Sequence, residues 1–209
     1  MGEPRTHECL IHSAVQGSDS TRTFDTIQGT VTYDELNDLI AEPYRRTLDA
    51  VLDGEFDNET LSVDLLRELH RRFVGPVMPG IAGVWRSEQV AVGCHQPPHP
   101  RAVDREMRAA MDDFVARIPY LNDDPEHQVE ALAQAECSFL NVHPFRDFNG
   151  RVVRLFCWFV AVRHFRLPVR HTWVDAGTPE DIAYRTALRE FDEHRNPLPM
   201  KDFWIANRF

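Results

Sequence analysis

HPFRDFNGRVVR runs from residue 143 to residue 154. It holds a lone histidine, an aspartate, an Asn-Gly pair and two arginines three apart. It opens the most apolar run of the chain, VVRLFCWFVAV at 152–162, which Arg154 interrupts and Arg163 follows. That run is too short to span a bilayer and reads as a buried central helix. His143 therefore falls at the end of one helix and Asn149-Gly150 at the start of the next. A helix N-terminus presents unpaired N–H groups and a positive dipole end, which suits an anion. Asn-Gly supports the tight turn that aims those amides.

Arg151 and Arg154 can share one face of the first helical turn. Two guanidiniums beside free amides suit a polyphosphate better than a single carboxylate. Asp147 is a hard oxygen ligand, placed where Mg²⁺ could bridge phosphates. His143 is the one base for neutral pH within a few residues of that point. Each of these residues has a plain structural reading when taken alone. Together they point to phosphoryl or nucleotidyl transfer. Arg154 adds weight, because a buried arginine needs an anion or an acidic side chain.

The rest of the chain supplies a helical frame. Residues 1–28 are polar and without period, and read as a flexible tail. Residues 29–59 read as a helical extension. Thr32 and Glu35 form a capping-box pattern, Leu36, Leu39 and Ile40 follow helical spacing, and Pro43 is expected to kink or divide the helix. A second helix is expected from Ser62 through Leu65, Leu66, Leu69 and Phe73 to Gly75-Pro76. Residues 77–99, rich in Gly and Pro with a β-branched stretch at Val90-Ala91-Val92, read as loop plus a short hairpin, the only strand-like region. Helices are then expected over 100–118, 125–142 and from the quoted stretch to about Phe165. A last helix starts at Thr178-Pro179 and fades near Asn196-Pro197. The fold class is mostly α with one small β-hairpin.

The 209-residue chain carries a formal charge of −10 and Lys201 as its only lysine. The acidic balance argues against general binding to nucleic acid or an anionic membrane. Cys9, Cys94, Cys137 and Cys157 are too sparse for a disulfide scaffold, so a reducing cytoplasm is expected. The N-terminus shows no basic segment leading into an apolar run. His7, Cys9 and His12, like Cys94, His95 and His99, lack the paired spacing of a zinc site. Cys157 follows the apolar helix pattern and reads as core, and His164 and His171 as surface residues.

The motif resembles that of the Fic/Doc family, His-Pro-Phe-x-Asp/Glu-Gly-Asn-Gly/Lys-Arg-x-x-Arg. It departs at one defined position, Phe148 for Gly. The stretch Ala82-Gly83-Val84-Trp85-Arg86 with Gln89, Val90, Ala91, Val92 and Gly93 looks like the family's β-hairpin flap, which docks the target segment. The resemblance covers roughly residues 60–200, with the Fic domain set at 60–209. It implies a Fic-type helical bundle that transfers AMP from ATP to a Ser, Thr or Tyr hydroxyl of a target protein. By position, His143 would deprotonate the hydroxyl and Asp147 would bind Mg²⁺. Asn149, Gly150 and Arg151 would line the anion hole, with the Phe148 amide facing the phosphate. Arg154 would meet the outer phosphate.

Many family members are silenced by a helix bearing Ser/Thr-x-x-x-Glu-Gly/Asn. No Glu in this chain precedes Gly or Asn; the nearest match is Thr186-x-x-x-Glu190-Phe191. A separate antitoxin-like inhibitor, or other regulation, stays open. Two alternatives also stay open: a Doc-like kinase, disfavoured because Gly150 is kept where that type has Lys, and a degenerate domain that only binds a partner. Phe148 is expected at negative φ, with its ring packed in the core or placed at the lip of the nucleotide pocket.

Overall fold

The structure is a computed structural model, and it describes residues 22–170, 174 and 177–209. The candidates His7, Cys9, His12 and His171 lie outside the described residues. An antiparallel hairpin, β1 (Thr23–Thr26) and β2 (Gly29–Thr32), leads into α1 (Tyr33–Leu52). There follow α2 (Val63–Val74), α3 (Val103–Arg117), α4 (Pro125–Val142) and α5 (Asn149–Phe159), which runs on as a π-turn over Val160–His164. The chain closes with α6 (Pro179–His194) and α7 (Leu198–Arg208).

The expected mostly helical bundle is present, but the strands lie elsewhere. Residues 23–32, taken partly as tail, pair in register from Thr23 with Thr32 to Thr26 with Gly29. Gly29 at φ 107 makes the tight return that other residues resist. The Ile27 amide donates to the Val77 carbonyl at 3.0 Å and ties the hairpin to the chain after α2. The region read as a hairpin, 77–99, holds one isolated bridge between Val92 and His95 and no strand. Pro97 and Pro98 lack ladder donors.

Pro43 does not divide α1, which is continuous from its complete Thr32/Glu35 capping box to Leu52. The Thr47 hydroxyl donates to the Pro43 carbonyl at 2.9 Å. Nor does the helical part end at Pro197. Helix α7 continues with Met200, Phe203 and Trp204 buried against α4 and α6.

Helix α4 is the hub and touches α3, α5, α6 and α7. Helix α5 buries Val152, Val153, Leu155, Phe156, Cys157 and Phe159 to 0% exposure, the pattern of a helix enclosed on all sides. Truncating such a side chain to alanine costs about 2–5 kcal/mol. A polar clamp adds to the packing. Glu136 on α4, fully buried, accepts from Tyr184 Oη at 2.7 Å, Trp204 Nε1 at 2.7 Å and both terminal nitrogens of Arg208 at 3.0 Å. Burial acts to raise its pKa, but the Arg208 charge, the hydrogen bonds from Arg208 and Tyr184 and the Arg154 charge together outweigh it, so the carboxyl is held below its ordinary value. Cys137 and Cys157 are free and buried, whereas Cys94 is disulfide-bonded, against the reduced state expected of it.

Candidate active site

Helix α4 stops at His143, which adopts the left-handed conformation at φ 51, ψ 62, and Pro144 cannot continue the helix. The loop 144–148 then turns the chain into α5. Asn149 closes this loop from within. Its Oδ1 accepts from the Phe145 amide and its Nδ2 donates to the Phe145 carbonyl, both at 2.8 Å. Asn149 is 2% exposed, so its side chain holds the loop and only its main-chain amide faces an anion.

His70 supports the loop from below. Its ring stacks on Phe145 at 3.9 Å between centroids and 2° between planes. Nδ1 accepts from the Gly83 amide at 2.9 Å, so Nε2 carries the proton and donates to the Asp147 carbonyl at 3.2 Å. Burial pushes this imidazole down to about 4, so it is neutral at pH 7.

The α5 N-terminus is open. Phe148 is the N-cap residue and makes no side-chain capping bond. The first helical bond is Val152 N–H to the Phe148 carbonyl, at 3.1 Å. The amides of Asn149, Gly150 and Arg151 therefore lack helical acceptors, as at any helix start, and the positive dipole end points the same way. Phe148 sits at φ 63, not at the negative φ expected of it. Its ring packs edge-on to Phe73 with centroids 6.0 Å apart, and the Arg151 guanidinium lies 5.2 Å over it. The same side chain lines the cavity, so it both touches the core and forms part of the lip.

That cavity has a volume of about 650 Å³. Among the described residues, Arg22, Arg146, Arg151, Arg154 and Arg185 line it against a single acid, Asp147. The excess of positive charge matches a polyphosphate. Arg151 is held by Asn37 Oδ1, and burial lowers its pKa. Arg154 has its guanidinium 5.4 Å over the Tyr184 ring. The nearest acid of that region, Glu136, is committed to Arg208. Among the described residues no carboxylate pairs with Arg154, the condition under which it meets an anion.

His143 lines the same cavity. Burial pushes its imidazole down to about 4, and the Arg86 and His95 charges act in the same direction. It is thus neutral and able to accept a proton at pH 7. Asp147 lies with its side chain 11% exposed. Oδ1 accepts from Arg22 at 2.8 Å, while Oδ2 is buried with no hydrogen-bond partner. Burial raises its pKa, and the Arg22 charge opposes that shift. A hard, unpartnered carboxylate oxygen beside an anion site fits a Mg²⁺ that shares its remaining ligands with phosphates.

Of the flap residues, Val90 and Ala91 line the cavity, and Gln89, Val92 and Gly93 do not. Gln89 donates to the Pro97 carbonyl at 3.0 Å and stiffens the flap. Sequence reasoning missed Arg22, Arg146 and Arg185, the apolar wall of Phe24, Tyr33 and Leu36, and the two supports His70 and Arg86. Arg146 lies within the quoted stretch and Arg86 at the start of the flap, and the others reach the site through tertiary packing.

A sequence model described as the Fic/DOC family matches residues 60–161. That span is a Fic/DOC-family domain. Over 98 residues the chain is 36% identical to a protein adenylyltransferase Fic of Nematostella vectensis, covering 47% of this chain and 22% of that protein. Over 149 residues it is 32% identical to a protein adenylyltransferase Fic of Aedes aegypti, covering 68% of this chain and 29% of that protein. The chain spans less than a third of the length of these curated relatives. The Fic fold extends beyond the matched span. The BepC protein of Bartonella tribocorum, a VirB-translocated effector solved with bound AMPPNP, superposes with a TM-score of 0.70 at 16% identity, covering 90% of this chain and 93% of that one. Fic-1 of C. elegans superposes at 0.56 with 25% identity, covering 83% of this chain and 48% of that chain.

Proposed function

We propose that this Fic domain is a protein adenylyltransferase that moves AMP from ATP to a Ser, Thr or Tyr hydroxyl of a target protein. The observation that carries this reading is the shared cavity: a neutral His143, the uncapped α5 N-terminus and Arg154, which has no salt bridge among the described residues, open onto one space. The target hydroxyl attacks the α-phosphorus, the bond to the β-phosphate bridging oxygen breaks, and pyrophosphate leaves. His143 accepts the hydroxyl proton. The amides of Asn149, Gly150 and Arg151 receive the developing charge on the phosphate oxygens, a preorganised donor set. Arg154 and Arg185 hold the outer phosphates. Asp147 would hold Mg²⁺, which supplies charge neutralisation of the phosphates when bound.

The relatives named adenylyltransferase support the activity, and the neighbour with bound AMPPNP supports an ATP-type donor. In this reading residues 60–209 supply base, cradle and flap, and the extension 29–59 closes the site through Tyr33, Leu36 and Asn37. The flap residues Gln89, Val90, Ala91, Val92 and Gly93 dock the target segment. A separate antitoxin-like protein is kept as the inhibitor, since no Glu precedes Gly or Asn in the chain. No described helix is long and apolar enough to cross a membrane. The cytoplasm, with its abundant ATP, is the setting assigned to this chemistry, and the bonded Cys94 is the observation that weighs against it.

Mass spectrometry of a cell lysate after incubation with ATP tests the reading. A gain of AMP on a hydroxyl residue is expected. A gain of phosphate would replace it with a kinase, and no gain from any nucleotide would leave a binding module.

A further inference from the structure

Arg86 stands at the base of the flap, 4% exposed. Its guanidinium has no carboxylate partner among the described residues, and burial alone shifts its pKa, downward. Instead its acceptors among the described residues are main-chain carbonyls. Nε donates to His143 at 2.7 Å, Nη1 to Glu88 at 2.8 Å, and Nη2 to Pro98 at 2.6 Å and Val142 at 3.3 Å. The Arg86 amide adds a bond to the Pro144 carbonyl at 2.9 Å.

These acceptors fall into two groups. Val142 and His143 offer the last carbonyls of α4, which have no helical donor and carry the negative end of the dipole. Glu88 and Pro98 flank residues 89–93 on either side. A buried cation is costly unless its donors are all used, and a planar five-donor fork can use them on two elements at once. A structural cap would need only the helix end. The bonds to both flanks of the flap have no bearing on α4 itself.

We propose that Arg86 is a positioning residue that joins the flap to the end of α4, so that the segment at 88–98 and His143 keep one fixed relation. This rests on the adenylyl-transfer reading for its purpose: a target strand docked on the flap then presents its hydroxyl at a set distance from the base. The α5 amides and Arg154 make no bond to Arg86, so the contacts to the phosphates do not run through the joint, and only Val90 and Ala91 of the flap border the nucleotide cavity.

The test uses Arg86→Ala and Arg86→Lys in the full chain. Amide hydrogen exchange is followed at Val92 and His95, which bond each other's carbonyls at 3.0 Å, and at His143, bonded to Phe139. AMPPNP affinity and the melting temperature are measured beside it. Exchange at Val92, His95 and His143 is expected to rise together by at least about tenfold in both variants, because lysine keeps the charge and loses the fork. AMPPNP affinity should stay within about twofold of the parent. Faster exchange at the flap with His143 unchanged would overturn the joint, as would unchanged exchange at both. A uniform rise across all helices would also overturn it and leave Arg86 a residue of general stability. If alanine prevents folding, the lysine variant decides. Failure of the parent chain to bind AMPPNP would sink the transfer reading, while the exchange result would still decide the joint.

Discussion

The Arg22 guanidinium donates to Asp147 Oδ1 across 2.8 Å, and the other oxygen of that carboxylate is buried without a partner. A cation from the edge of the hairpin thus occupies half of the group assigned to Mg²⁺. The arginine is held loosely by a cation–π contact, 4.5 Å over Phe24, and its side chain is 48% exposed.

Arg22→Ala should therefore strengthen divalent-cation binding. Half-exposed pairs are worth about 0.2–1 kcal/mol, so the gain should not exceed about fivefold. Titration with Mn²⁺ by electron paramagnetic resonance, with AMPPNP present, reads it directly. Unchanged or weaker binding would show that Arg22 does not compete.

His143→Ala should abolish transfer, with a fall of about 10²–10⁴-fold, while AMPPNP affinity and the melting temperature hold. The native histidine also makes a pH prediction. His143 and His70 each fall from an ordinary value of 6.5 to about 4. Between those values the unfolded chain binds protons that the folded chain refuses. Stability is then complete above pH 6.5 and is lost as pH falls towards 4, at roughly 1.4 kcal/mol per pH unit per histidine. Denaturant titrations across that window should show a shallower slope in His143→Ala, with the His70 contribution remaining.

Arg154→Ala should weaken ATP far more than AMP. A lost charge-assisted contact costs about 1.5–3 kcal/mol, on the order of tenfold or more in affinity. Calorimetry with both nucleotides separates this from a general loss. Equal weakening would assign Arg154 to the frame instead of the outer phosphates.

Phe148→Gly removes a left-handed phenylalanine, worth about 1–2 kcal/mol of relief, and forfeits the ring contact with Phe73. Phe148→Ala keeps the backbone cost and forfeits the same ring. The alanine variant should thus be the less stable by about 1 kcal/mol. The ring also forms part of the cavity wall, so the glycine variant should change the preference among ATP, GTP and other donors. Identical donor preference would leave the ring a packing residue.

The helical frame was legible because its signals are local. Thr32 and Glu35 mark the start of α1, Asp124-Pro125 that of α4, and the apolar run at 152–162 the enclosed α5. The motif residues followed from order along one stretch. What escaped reading depends on distant partners. That the Asn149 side chain is taken up by the Phe145 main chain has no signal in the order of residues. Phe148 looked confined to negative φ, but the chain must turn sharply before α5 and Phe73 takes its ring. The hairpin at 23–32 lies in a polar segment with little alternation, and Val77 helps to hold it.

The two bonds between Asn149 and Phe145 also bear on chemical ageing. An asparagine followed by glycine loses its amide when the next main-chain nitrogen attacks the side-chain carbonyl carbon and ammonia departs. Here that carbonyl is buried and fixed, and Gly150 already lies in the first turn of α5. The reacting atoms cannot align while the loop is folded. Conversion to aspartate or isoaspartate is thus confined to the unfolded chain, where it would put an acid or an extra backbone carbon at the place proposed for phosphate.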